Sequence, residues 1–295
     1  MNDRLASPVI ARGTPSVAPH WAGRLALRYM VDATGRTVGH DRHEGPLRVL
    51  RSLHPEGPRV CHHVLVHPPG GVVGGDRLEV DVDVQAGAHA LVTTPGATRF
   101  YRSAGEPARQ SATLRVADQA RLEWLPLEAI AYSGCLATNH VALELARGGE
   151  ALGWDLLALG LGEAGQPFER GVFEQHLELP GAWVERGRIE ASDRRLLQAP
   201  LGLGGHPVTG TLWFAAGAAL DDSRRDRLLD AARALAGAHA LARTAGATSP
   251  HARVVVLRVL APRIEPAMAL FAAVRAAWRA EAWGLAPHPP RVWAT

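Results

Sequence analysis

Between Arg77 and Val84 the chain reads RLEVDVDV, with Leu78, Val80, Val82 and Val84 alternating strictly with Arg77, Glu79, Asp81 and Asp83. Successive side chains leave an extended backbone on opposite sides, so a period of two marks a strand with one buried and one solvated face. Less regular segments of the same kind recur at His89–Thr94, Ser111–Val116, Ala120–Leu125, His140–Ala146, Leu152–Leu159, Phe173–Leu179 and Ala182–Glu190. Gly87, Gly134, Gly148-Gly149 and Pro180-Gly181 fall between these runs, where tight turns need them. The pattern predicts a mainly β (α+β) fold whose body, residues 21–219, is a large antiparallel stack of sheets.

After Leu220 the pattern changes. Asp221-Asp222-Ser223 offers an N-cap, and Leu228, Leu229, Ala232, Leu235 and Ala236 recur at helical spacing. Val254–Leu260 reads as a buried strand, preceded by another at His239–Thr244, and a second helix is expected from about Pro266, with Phe271, Val274 and Trp278 along one stripe. The C-terminal part, 220–295, is therefore expected to be a helix-strand-strand-helix unit packed on the β body in a single domain. Residues 1–20 lack the apolar core of an export signal and read as a flexible leader. The longest uncharged stretch, Leu196 to Leu220, holds two prolines, five glycines, Gln198 and His206, so it is expected to be a loop and a buried strand, not a membrane span.

At 295 residues the chain can bury a substantial core without metal or disulfide staples. Its two cysteines, Cys61 and Cys135, lie far apart and in no CxxC spacing, which points to a reducing, cytoplasmic setting. Every basic residue is arginine, the net charge is only +3, and Arg194-Arg195 and Arg224-Arg225 are flanked by acids or apolar residues. No nucleic-acid partner is expected from that distribution.

Ahead of the alternating strand stands HPPGGVVGGD, His67 to Asp76. A phosphate-binding loop would need Lys and Ser/Thr after its last glycine and then a helix, whereas Asp76-Arg77 and a strand follow here. Gly160 to Gly165 fits G-x-G-x-x-G, but Gln166-Pro167-Phe168 follows in place of the helix a dinucleotide site requires, so a loop is expected. There is no G-x-S-x-G and no H-E-x-x-H, and His43-Glu44 runs into Gly45-Pro46. In CHHVLVH, Cys61, His63 and His67 project to one face of a strand, and their donors suit nickel, copper or zinc. His63 and His67 would stand ~13 Å apart on a straight strand, too far to share one ion. Strand histidines beside polar neighbours are the simplest account. A metal-dependent hydrolase using His62, His63 and His67 is one alternative; a plain interaction module with Trp183, Trp213 and Trp293 as exposed anchors is another.

Five blocks together carry a family resemblance: HPPGGVVGGDRLEV (His67–Val80), ALVTTPGATRFYRS (Ala90–Ser103), LEWLPLEAI (Leu122–Ile130), LGWDLLALG (Leu152–Gly160) and PRVWAT (Pro290–Thr295). In this order the chain resembles the UreD (UreH) family of urease accessory proteins, with Arg99, Leu127 and Gln166 standing where that family commonly has Lys, Gln and Glu. The resemblance implies a cytoplasmic, non-catalytic scaffold that joins UreF and UreG on apo-urease and helps deliver nickel to the urease active site. It implies no tightly bound cofactor, only Ni²⁺ in transit through an internal passage, and neither a nucleic-acid nor a membrane partner. Weak, exchangeable ligands suit transit better than a closed Cys/His cage. On that ground Asp76, Thr93, Thr94, Glu123 and Glu128, with His67, are the expected nickel-path residues. Pro68, Pro69, Gly70, Gly71, Gly74 and Gly75 would shape the loop, with Val72 and Val73 as its anchors, and Tyr101, Arg102, Ser103 and Trp293 would meet partners.

Overall fold

A computed structural model describes residues 21–294. The expected leader, 1–20, lies outside the described residues. The chain opens with β1 (Ala22–Val31) and β2 (Thr37–Glu44), an antiparallel pair, followed by the short β3 (Arg48–Val49). It then winds between two stacked sheets. Strands β4 (Val60–Val66), β6 (His89–Thr93) with β7 (Thr98–Phe100), β9 (Arg121–Leu125) with β10 (Ala129–Ala131), and β12 (Glu150–Leu161) belong to the larger sheet. Between them in sequence, β5 (Arg77–Val84), β8 (Ala108–Val116) and β11 (Cys135–Leu145) lie in the smaller one. After the short β13 (Gln166–Pro167), β14 (Gly171–Leu179) and β15 (Trp183–Glu190) complete the smaller sheet, whose order is β15-β14-β11-β8-β5-β1-β2.

The β-rich, stacked-sheet class is as expected; the strand direction is not. β1, β5, β8, β11 and β14 pair in parallel, as do β4, β6, β9 and β12. Of the glycine-bearing turns, only Pro180-Gly181 folds a strand back on its neighbour, β14 onto β15; those at Gly87, Gly134 and Gly148-Gly149 do not. They carry the chain across to the facing sheet, so each circuit lays a strand beside its predecessor in the same direction. Period-two alternation is identical for either direction, because it reports burial and not pairing. Antiparallel pairs remain at the ends, in β1–β2, β14–β15 and the ladder from β12 through β16 (Val208–Ala216). Register is continuous across the circuits: Leu25, Val80, Ala112, Val141 and Leu177 align on one sheet, facing the core with Cys61, Ala90, Leu122 and Ala151 of the other.

A short helix, α1 (Arg194–Gln198), interrupts the stretch expected to be loop, and β16 is the buried strand expected after it. Then come α2 (Asp222–Gly237), β17 (Ala245–His251), β18 (Val254–Ala261) and α3 (Ile264–Trp283). Asp221 caps α2 through a hydrogen bond from the Arg224 amide, 2.8 Å. The strand expected at His239–Thr244 is instead a pair of turns, and β17 begins at Ala245. As an edge strand carrying Pro250, β17 has little apolar content to announce it. Both β17 and β18 extend the larger sheet beyond β16, and α2 and α3 cover its other face. The result is three layers, sheet on sheet on helices. Burial on both faces explains why β12 and β16 read as nearly continuous apolar runs, while β5, open to solvent on one side, alternates.

Candidate functional site: a polar track between the sheets

The HPPGG segment carries the chain from β4 across to β5. Val72 is its buried anchor: its amide donates to the Arg99 carbonyl (2.7 Å) and its carbonyl accepts from Tyr101 (2.9 Å). Val73, expected to anchor beside it, points outward and is exposed, because adjacent residues on an extended segment face opposite ways. At Gly71 a Cβ would stand 2.1 Å from the Tyr101 ring, and Gly75 has φ +92°, a left-handed conformation that side chains disfavour. Gly74 has no such φ; its reason is crowding, since a Cβ there would meet Ser103 and the Glu106 carbonyl. Pro68, Pro69 and Gly70 form the exposed tip. Asp76 closes the loop, with its carboxylate accepting the amides of Val73 (3.0 Å) and Trp21 (3.3 Å).

Beneath this loop, between the sheets, lies a cavity of about 260 Å³ whose polar lining includes His67, Thr94, Arg99 and Gln110. That exceeds the roughly 10–15 Å³ one water needs. The space exists because strands of the larger sheet break off at one level, at Thr94–Ala97 and at Pro126–Glu128, where Pro95 and Pro126 cannot donate to the ladder. Thr94 is held by the Leu127 amide (2.9 Å) and donates to Gly96 (3.0 Å). His67 Nε2 is buried and makes no hydrogen bond. Burial pushes the His67 pKa down against the opposing pull of Asp76, favouring a neutral imidazole.

From Gln110 a line of polar side chains continues through the apolar core. The Gln110 amide donates to Asn139 Oδ1 (3.3 Å), and Asn139 donates to Asp155 Oδ2 (3.1 Å). Asp155 sits on the inward face of β12, and burial pushes its carboxyl up to about 6, with hydrogen bonds from Gln175 and Asn139 opposing and nearby Glu185 adding to the rise. Glu185, on β15, accepts from Thr211 and from Arg258 Nε (2.8 Å) at a partly exposed rim. Amide oxygens and isolated carboxylates of this kind are weak, exchangeable ligands for a hydrated divalent ion. Sequence reasoning missed Asn139, Asp155 and Glu185. One signal was present: a single acid, Asp155, inside LGWDLLALG, an otherwise apolar strand.

The other expected path residues do not gather here. Thr93 and Glu123 face the helices. Thr93 donates to the Leu125 carbonyl (2.6 Å) and accepts from Trp293 Nε1 (2.8 Å). Glu123 is fully buried and surrounded by cations and imidazole: Arg275 Nη2 at 2.6 Å, His89 at 3.1 Å and Arg279 at 3.3 Å. Burial opposes its ionisation, but Arg275, His89 and Arg279 together hold its carboxyl down at about 2. Glu128 contributes its backbone carbonyl, which accepts the Thr98 amide at 2.9 Å.

Among the expected partner contacts, Tyr101 packs on Tyr132 (ring centroids 5.0 Å) and over Gly71, while Arg102 is exposed and lies against Gly134. Ser103 is tied to the Glu106 carbonyl and the Gly105 amide. Trp293 is only half-exposed, its ring centroid 5.2 Å from that of Trp154 and tilted 43° to it, with the Arg275 guanidinium 5.6 Å from its ring. Trp183 and Trp213, expected as exposed anchors, are buried, because their strands present them to the inter-sheet core.

His62, His63 and His67 do not form a metal cluster. Alternation sends His62 to the helix side, where it meets Glu56 at 2.7 Å. His63 lies between Tyr29 Oη and Ser52 Oγ, both at 2.7 Å, and burial takes its pKa down to about 4. Gly160–Gly165 is a strand end and one 3₁₀ turn, the loop that was expected.

A family model described as "UreD urease accessory protein" matches residues 22–294. Proteins named "Urease accessory protein UreD" from Leptothrix cholodnii and Variovorax paradoxus are 61% and 57% identical to this chain, each alignment covering 93% of it and 99% of the relative. One from Verminephrobacter eiseniae is 58% identical with the same coverage.

Proposed function

The chain belongs to the UreD family of urease accessory proteins, and we propose that it serves urease as a non-catalytic scaffold joining UreF and UreG on apo-urease, with Ni²⁺ crossing it along the polar track. The observation carrying this reading is the hydrogen-bonded line Gln110–Asn139–Asp155, which leads from the cavity under the HPPGG loop into a core that is otherwise apolar. A buried carboxylate that hydrogen bonds satisfy only in part is costly, and the raised pKa of Asp155 shows that cost. With its pKa raised to about 6, Asp155 is ionised at neutral pH yet close enough to titration to exchange a proton for a passing cation. His67, whose Nε2 makes no hydrogen bond, offers a second stopping point at the cavity. Nickel is cargo here, and no tightly bound cofactor is required.

The cytoplasm is the proposed setting. No helix among the described residues is long and apolar enough to cross a membrane, and Cys61 and Cys135 are free, buried thiols. Asp155→Asn tests the track, because the amide fills the same space without the charge. The variant should still co-purify with UreF, UreG and apo-urease while urease activation falls at limiting nickel and recovers at high nickel. Full activation at limiting nickel would refute the route.

A further inference from the structure

On the outer face of the smaller sheet, away from the track, three side chains converge. His140 on β11 and His176 on β14 are directly opposite in the parallel register, and Glu178 follows two residues after His176 on the same face. The imidazoles stack with centroids 4.4 Å apart and planes 15° from parallel. Both Nε2 atoms address the one carboxylate, His140 at 3.3 Å from Oε1 and His176 at 3.3 Å from Oε2. One ligand atom from each residue can be chosen so that all three lie within 4.8 Å of one another.

We propose that His140, His176 and Glu178 form an open site for a divalent ion of the nickel, copper or zinc type. With metal–ligand bonds of about 2.1 Å, adjacent donors of a tetrahedral or octahedral shell stand about 3.0–3.4 Å apart, which matches the two nitrogen–oxygen separations. Two imidazoles and a carboxylate select these metals over magnesium or calcium, which prefer all-oxygen shells. An ordinary surface His–Glu pair would account for one imidazole. Here a second imidazole, His176, stacks on the first and turns its buried Nε2 toward the same carboxylate, outside hydrogen-bond geometry, which one such pair does not require. The side chains are 25–36% exposed, so an ion can arrive from solvent and keep water in its remaining positions. Across the sheet on either side stand Ser111, opposite His140, and Arg186, opposite His176; neither is needed as a ligand.

The test is metal binding by the purified full chain, with Ni²⁺ measured against a chromogenic chelator and Cu²⁺ by electron paramagnetic resonance. Wild type should show a Cu²⁺ signal split by two imidazole nitrogens. His140→Gln and His176→Gln should each remove that signature and weaken one Ni²⁺ equivalent by about tenfold or more, with Glu178→Gln weakening it less. His43→Gln, on an exposed histidine elsewhere, should change nothing. Equal affinity, stoichiometry and spectra in wild type and the His140→Gln/His176→Gln double variant, with melting temperature unchanged, would overturn the site. Urease activation is not the readout, so failure here leaves the proposed track standing, and the reverse.

Discussion

Asp155 carries a cost that Glu123, likewise buried but surrounded by Arg275, Arg279 and His89, has offset. Its folded pKa of about 6 lies above the ordinary 3.8, so burial destabilises the fold at neutral pH, and the burden lifts as pH falls through 6 toward 4. Asp155→Asn should therefore raise stability at pH 7–8, by as much as about 3 kcal/mol, with the gain shrinking by pH 4–5 in parallel denaturant titrations. A gain independent of pH would show that the carboxylate is not strained by burial. Asp76 contrasts with it, since both its oxygens already accept backbone amides. Asp76→Asn keeps one such acceptor and should lose about 1 kcal/mol while activating urease normally when nickel is abundant. A shortfall confined to limiting nickel would assign its charge a part in transit as well.

Among the elements, α3 is the one whose buried face is not simply apolar. Beside Leu270, Phe271, Val274 and Trp278 it buries Arg275 and Arg279, which meet Glu123 of β9 and Glu56. Arg279→Leu strips one cation from the buried Glu123 carboxylate and the partly buried Glu56 and should cost about 3–5 kcal/mol, measurable as a large fall in denaturation midpoint. The HPPGG loop is the second such element. Gly75→Val forces a β-branched residue to φ +92° and should cost about 1–3 kcal/mol, seen as lower soluble yield and melting temperature. Unchanged values would mean that the turn relaxes without strain.

For the whole molecule, acid should loosen the fold in two stages. His63, with its pKa taken down to about 4, and His89, also lowered by burial, stay neutral in the fold while the unfolded chain protonates near 6.5. Their contribution is present above 6.5 and is lost as pH falls toward 4. Glu123, held at about 2 against an ordinary 4.5, gives a contribution lost between about 4.5 and 2. Both slopes follow from more protons being bound unfolded than folded; Asp155 works against the first of them, so they are read in the Asp155→Asn variant, where a stability curve flat from pH 7 to 3 would contradict them. Leu50, Leu53, Val73 and Leu201 are half or fully exposed. Made alone, the chain should be poorly soluble or oligomeric, with co-expressed UreF restoring it. A monodisperse monomer without partners would argue against an obligate interface.

Strand and helix identity was legible from residues alone where burial on one face imposes its period locally, as at Arg77–Val84, the Asp221 cap and the Phe271–Trp278 stripe, but not at the polar edge strand β17 or the short α1. The five family blocks likewise stood in the letters. Three things did not. Parallel pairing depends on where a turn delivers the chain, and the turn after Val84 reads the same whether it closes a hairpin or crosses to the facing sheet. The two faces of the larger sheet are both buried, so nothing in the pattern told that Glu123 meets helices while Trp124 lines the cavity. Finally, Gln110, Asn139 and Asp155 come from three strands, and His140 and His176 from two. Their meeting is a consequence of register between circuits, which long-range packing sets and no local period records.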